Sequence, residues 1–220
     1  GHEYAHAVVF HSYENVWGDP IGVISVGQTG ALNEGHSEYS GEVFEHFSTG
    51  TTDWKAGTSS AWSVLFDLSN PGSTGYIPPP PALPTPLPNP ERWMSKYVVC
   101  NPNFDDGGVH INGSIISHML YRMANGGGQN GCYIEAIGMD AVLKIFFRVW
   151  HENYVTRTAT FAQAYSAFLQ ACGELYPEET CEQVRISLEA SELDQPGYCS
   201  GQPEVAPDCP LQTLAWAGTY

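Results

Sequence analysis

The sequence predicts a mainly α fold with short strands, extended loops and a proline-rich insertion. Three observations carry that expectation. Apolar residues recur at helical intervals in the second half, as in Val142, Ile145, Phe146 and Val149. A second periodic set, Leu32, Tyr39, Val43 and Phe47, follows Gly30. Segments of helix length are separated by turn-forming stretches: GGGQNG, YVTRTAT and LYPEET.

Residues 2 to 10 are helix-compatible, and WGDP at 17 to 20 reads as a turn leading into a short extended piece, IGVISVG. A second helix starts near Gly30 and runs to Phe47, with Glu34, Glu38 and Glu45 on adjoining faces. STGTTDWKAGTSS is loop. YIPPPPALPTPLPNP, Tyr76 to Pro90, is excluded from helix and central strand because proline lacks an N–H and fixes φ; it reads as polyproline II on the surface. Past Gly107, helices are expected at about 110–125, 135–153, 159–172 and 179–190. From Asp194 the chain is a tail with Pro, Gly and Cys and no periodicity. The organisation is residues 1–100 (two helices, loops and insertion), 101–193 (helical bundle) and 194–220 (tail), in one domain overall.

Composition removes several function classes. Eight Lys+Arg against 24 Asp+Glu give a net charge of -16 over 220 residues, and no basic cluster is present to track phosphates, which speaks against nucleic acid. No apolar run approaches the roughly 18 residues of a membrane helix, and the start does not resemble a secretory leader. A mature, secreted chain is expected. Six cysteines with no CxxC pair favour disulfides over a zinc-thiolate site. Sequence leaves the pairing open; short separation favours Cys172–Cys181 and Cys199–Cys209, leaving Cys100 for Cys132, with Cys172–Cys199 as the replacement to consider.

The chain opens GHEYAHAVVF, so His2, Glu3 and His6 spell HExxH. Two histidines four apart on a helix stack on one face and can share a zinc ion. Glu3 is rotated by about 100° and points instead at a water that such an ion acidifies, ready to take its proton. The motif also occurs by chance on solvated helices. A catalytic zinc needs a third protein ligand, and Glu34 on the second helix is the candidate; Glu38, one turn on, is placed to accept the other ring N–H of a ligating histidine. Downstream, DDGGVHINGS brings glycines for a tight backbone approach to His110, with Asp105 near enough to orient it as an oxyanion donor. On its own, His110 reads equally as a core or capping histidine. His11, His36, His46, His118 and His151 read as surface or hydrogen-bonded residues.

HEYAH, GALNEGHSE, DDGGVHINGSIIS, IGMDAVLKIFFRVW and TFAQAYSAFLQACGELY occur in an order that resembles the thermolysin-like neutral metalloproteases, across nearly the whole chain. The resemblance implies the family's helical lobe, zinc held by His2, His6 and Glu34, Glu3 as general base and a peptide or protein substrate. It further implies Glu38 in place of an aspartate behind the first histidine, His110 with Asp105 as the transition-state pair, Asn112 facing substrate backbone, and a hydrophobic preference just after the scissile bond. Glu45 and Asp53 match calcium-holding carboxylates, but Lys55 and Thr58 stand where further ones are expected, so a double calcium site is not expected and one weaker ion near Glu45 and Asp53 is.

Two other departures bear on turnover. Ser25 stands where a tyrosine is expected, and Phe66 stands where an arginine contacts the glutamate ligand and the substrate carbonyl; either Arg92 replaces it or turnover is reduced. A helix end frays, so a ligand at residue 2 is poorly held alone. The family's mostly β domain is therefore expected ahead of His2, as a separate chain of the same precursor or as sequence not included here, meeting an apolar surface on the first helix. Two functions compete: a secreted zinc endopeptidase, and a protease-derived structural or binding subunit that has lost turnover.

Overall fold

The computed structural model describes residues 1–57, 65–77, 86–194 and 199. Six helices dominate: α1 (His2–His11), α2 (Gly27–Thr49), α3 (Asp105–Asn125), α4 (Met139–His151), α5 (Phe161–Leu175) and α6 (Glu178–Ala190). Among the described residues, sheet is confined to three two-stranded antiparallel ladders, β1 (Lys55–Ala56) with β2 (Phe66–Asp67), β3 (Gly75–Tyr76) with β4 (Leu87–Pro88), and β5 (Gly127–Gln129) with β6 (Cys132–Ile134). The mainly α expectation is met, and each helix lies within a few residues of its expected place.

The α2–α3 pair is the spine. Gly35 and Gly113 set its closeness: a Cβ on Gly35 would lie 2.5 Å from the Gly113 carbonyl oxygen and 2.5 Å from Ile116 Cβ, and one on Gly113 would lie 3.0 Å from Glu34 Cβ. No larger residue fits without moving a helix. Around this spine, α1 packs on α2, while α4, α5 and α6 complete the bundle. One apolar cluster, from Val9 of α1 through Ile116 and Leu120 of α3 to Phe168 and Leu188, joins all six helices. α5 is started by a capping box in which the Thr160 side chain and Gln163 satisfy each other's backbone N–H.

Two expectations are refined and two are corrected. IGVISVG forms no ladder; Ile21, Gly22 and Ile24 donate to the carbonyls of Tyr13, Phe10 and Arg157, so its backbone is satisfied by neighbouring segments. GGGQNG is more than a separator: it opens the β5–β6 hairpin, whose Asn130–Gly131 turn is the favoured short hairpin dipeptide. The flanks of the proline-rich segment pair with each other, Gly75 with Pro88 and Tyr76 with Leu87, which proline tolerates on an edge; residues 78–85 lie outside the described residues. Of the disulfides, Cys172–Cys181 is present as expected, but Cys132 bonds Cys199, which overturns Cys100–Cys132, Cys199–Cys209 and Cys172–Cys199 together. Cys100 is also disulfide-bonded. Separation along the chain misled because β6 folds back over the end of the bundle, bringing Cys132 and Cys199 into a small apolar cluster with Ile134 and Ala190. The tail from 200 on lies outside the described residues.

Candidate metal centre and substrate cleft

α1 turns the faces of His2 and His6 toward α2, and α2 answers with Glu34. The two Nε2 atoms are 3.0 Å apart, and Glu34 Oε2 lies 3.6 Å from His2 Nε2 and 3.5 Å from His6 Nε2. One ligating atom from each residue falls within 4.8 Å of the other two. Two imidazole nitrogens and one carboxylate oxygen converging on a point form the donor set of a catalytic zinc. Glu34 Oε2 is buried and has no hydrogen-bond partner, an arrangement a shared cation relieves. The Ser37 hydroxyl lies 3.0 Å from His6 Nδ1, leaving Nε2 to point inward.

Electrostatics at this corner are coupled. Burial and the neighbouring His6 lower the His2 pKa. His6 is also pulled down by burial, but the Glu34 carboxylate overcomes this and raises it. Glu34 itself is pushed up by burial and, on balance, held below its ordinary value by His6 and His110. The two shifts run in opposite directions because Glu34 acts more strongly on His6 than on His2.

His110 approaches from α3, its Nε2 3.6 Å from Glu34 Oε2. The backbone that delivers it is unusual: Asp105, Asp106, Gly107 and Gly108 all have positive φ, so the chain coils left-handed before the helix proper. This coil lets Asp105 cap the helix and grip His110 at once. Asp105 Oδ2 accepts from the N–H groups of His110 and Ile111 at 3.0 and 3.2 Å, and Oδ1 accepts from His110 Nδ1 at 2.6 Å. That hydrogen bond pushes the His110 pKa up to about 9, leaving Nε2–H as a donor aimed past Glu34. Glu3 is exposed and lines, with His2 and His110, a cleft of about 620 Å³ that Leu65 and Phe66 also line.

Other residues are placed differently from expectation. Asn112 does not face substrate: it is buried, its Oδ1 accepts from Val99 N–H at 2.9 Å, and its Nδ2 donates to the carbonyls of Val99 and Gly107. It ties the loop before the left-handed coil to α3. Glu38 makes no hydrogen bond to a histidine; it is 2 % exposed, both its oxygens lack partners, and burial pushes its pKa to about 8. Arg92 cannot stand in for the missing arginine because its guanidinium is held by the fully buried Glu192, at 3.1 and 3.2 Å. Ser25 is exposed on the other side of Glu34, in a groove shared with His6. His36 and His118 are core residues: His36 stacks on Phe146 at 4.2 Å between ring centroids, and His118 Nδ1–H donates to the Leu68 carbonyl at 2.7 Å.

A second acidic group forms where calcium was expected. Glu45 and Asp53 are joined by Glu42, which the sequence reading missed, with one oxygen of each within 4.8 Å of the others. Its spacing to Glu45, one turn along α2, was the available signal. Ser37, a small hydroxyl with no pattern around it, gave none. Lys55 N–H donates to Asp53 Oδ1 at 3.0 Å, and Thr58 lies outside the described residues.

Residues 24–192 match the family model described as thermolysin metallopeptidase, alpha-helical domain. The chain belongs to this family. The thermolysin family is matched again in individual relatives: bacillolysin of Bacillus cereus is 31 % identical over 186 residues, covering 84 % of this chain and 29 % of that protein. Thermolysin of Alicyclobacillus acidocaldarius subsp. acidocaldarius is 30 % identical over 176 residues, covering 80 % of this chain and 29 % of that protein. The solved precursor of protealysin, a metalloproteinase from Serratia proteamaculans, superposes with a TM-score of 0.58 at 20 % identity, over 78 % of this chain and 52 % of that one. That likeness concerns the fold. The chain thus spans about 29 % of the length of these thermolysin-family relatives, and the HEYAH segment lies ahead of the matched residues. No helix among the described residues is long and apolar enough to cross a membrane.

Proposed function

We propose that this chain is the helical half of a secreted zinc endopeptidase. The observation that carries the reading is the convergence of His2, His6 and an unpartnered Glu34 oxygen within 4.8 Å, with His2 lining a cleft that also holds Glu3 and His110. Zinc held by these three residues would supply Lewis acidity to a water and to the scissile carbonyl. Glu3, exposed in the cleft, takes the proton of the attacking water and passes it to the leaving amine. His110, oriented by Asp105, donates its Nε2–H to the oxyanion as it forms. Disulfides support an oxidising, extracellular setting. Glu42, Glu45 and Asp53 are the place where one calcium ion would bind.

The partner is an upstream, mostly β part of the same precursor. Supporting this, a groove of about 650 Å³ between α1, α2 and α4 is rimmed by aromatics left open to solvent: Tyr4 is 74 % exposed, Phe44 59 %, Phe47 65 % and Phe147 49 %. The relatives carry far more chain than is seen here, enough to cover it. The competing reading, a subunit without turnover, is favoured by Phe66 in the cleft and by Arg92 being tied to Glu192. Chelator-sensitive cleavage of an unstructured protein by the complete assembly, lost in Glu3→Gln, is the expected result; bound zinc with no cleavage of any peptide library decides for the subunit.

A further inference from the structure

The two histidines of the metal corner are not held alike. His6 is gripped at both ring nitrogens by one helix: Glu34 Oε2 of α2 lies 3.5 Å from Nε2, and the Ser37 hydroxyl, also on α2, lies 3.0 Å from Nδ1. Residues three apart on a helix share a face, so α2 presents a carboxylate to one nitrogen of this imidazole and a hydroxyl to the other. Ser37 is fully buried, and its hydroxyl makes no other hydrogen bond among the described residues. Asn33, one turn before it, also acts on His6, but its buried Oδ1 has no hydrogen-bond partner.

His2 has no such second grip. Its Nε2 lies 3.0 Å from that of His6 and 3.6 Å from Glu34 Oε2, and its Nδ1 makes no hydrogen bond among the described residues. Its side chain is 35 % exposed, against 23 % for His6. An imidazole ligates through Nε2 only while the ring proton sits on Nδ1, and a buried Nδ1–H needs an acceptor. For His6 the Ser37 oxygen is the acceptor within reach. An aliphatic side chain at that position would leave the Nδ1–H unpaired where water does not reach, and the ring free to tilt.

We propose that Ser37 is a positioning residue of the zinc site: its hydroxyl accepts from His6 Nδ1–H, fixes the tautomer and tilt of that ring, and so makes His6 and Glu34 the preformed half of the site, which His2 completes. This rests on the zinc reading above. It replaces the arrangement expected from sequence, in which the carboxylate of Glu38 stood behind a ligating histidine.

The test reads metal binding rather than turnover. The complete assembly is stripped of metal and titrated with zinc in competition with a chelating dye. Ser37→Ala lowers zinc affinity about 10–100-fold while thermal unfolding of the metal-free assembly stays where it was. Threonine and valine share a shape and differ in the hydroxyl, so Ser37→Thr binds zinc at least about tenfold tighter than Ser37→Val. In proton NMR of the zinc-loaded assembly, the His6 Nδ1–H is a slowly exchanging signal that Ser37→Ala removes. Zinc affinity unchanged in Ser37→Ala overturns the proposal, as does Ser37→Thr binding no tighter than Ser37→Val. A larger loss in Asn33→Ala than in Ser37→Ala assigns the grip to Asn33 and overturns it too. An unsubstituted assembly that binds no zinc sinks the zinc reading itself, and this proposal with it.

Discussion

The α1–α2 corner and the α5–α6 end of the bundle are built from the same kind of helix to opposite standards of satisfaction. Between Asn33 and Ser40, α2 buries six side-chain atoms with no hydrogen-bond partner, on Asn33, Glu34, His36, Glu38 and Ser40, while no such atom is found within α5 or α6. α5 carries a capping box and is tied to α6 by Cys172–Cys181, and Ser187 of α6 donates to the Met119 carbonyl at 3.1 Å. The corner also shows its aromatics to solvent, whereas Phe161 and Phe168 of α5 are fully covered. Buried polar atoms are normally paired, so a concentration of orphans marks a surface that is completed by something else. Here the orphans face a metal position, a substrate cleft and an open groove.

If that contrast is right, substitutions in the corner alter chemistry and leave stability, and substitutions at the α5–α6 end do the reverse. The largest effect belongs to Glu3→Gln, which should lower peptide cleavage by at least about 100-fold with one zinc still bound and thermal unfolding unchanged. His110→Ala comes next, with kcat down about 100-fold and KM moving much less. Its pH signature follows from Asp105, which holds His110 protonated up to about 9. The donor is present below that pH and lost above it, so activity should fall on the alkaline side, and that limb should be absent from a pH profile of His110→Ala.

Gly113→Ala sharpens the contrast by crossing it. A Cβ there would press on Glu34 Cβ at 3.0 Å, so denaturant unfolding should show a loss of about 1–3 kcal/mol and zinc affinity should drop as well. Cys172→Ser with Cys181→Ser opens a short loop, a sequence separation of 9. It should cost about 2 kcal/mol and leave zinc content and kcat alone. A change in metal binding on removing this disulfide would mean the two regions are not independent.

Much of this was legible in the sequence, for reasons specific to each element. His2 and His6 stand four apart on a helical segment, so spacing put them on one face; Glu34 followed from zinc's need for a third ligand and from the family resemblance. The glycines of DDGGVH signalled a tight backbone approach before His110, but not the left-handed coil, which already begins at Asp105 and Asp106. Asn112 was expected at the substrate only through the family resemblance; two residues on from His110 the helix turns its amide toward the Val99 backbone. Glu38 misled by its spacing: one turn from Glu34 in sequence, it lies against Ser117 and leaves Ser37 to meet His6. Helix spacing fixes a face to within tens of degrees, and which neighbour a side chain then meets depends on the partner helix. Disulfides and hairpin register were less legible still, since Cys132–Cys199 depends on how β6 and the end of α6 come together.

The central claim is that α1 and α2 together hold one zinc ion. Anomalous scattering at the zinc edge from crystals of the complete assembly tests it directly. A single peak within about 2.0–2.2 Å of His2 Nε2, His6 Nε2 and a Glu34 oxygen is the expected result. A peak elsewhere, or a Glu34 carboxylate that remains outside the coordination of both histidines, would contradict it.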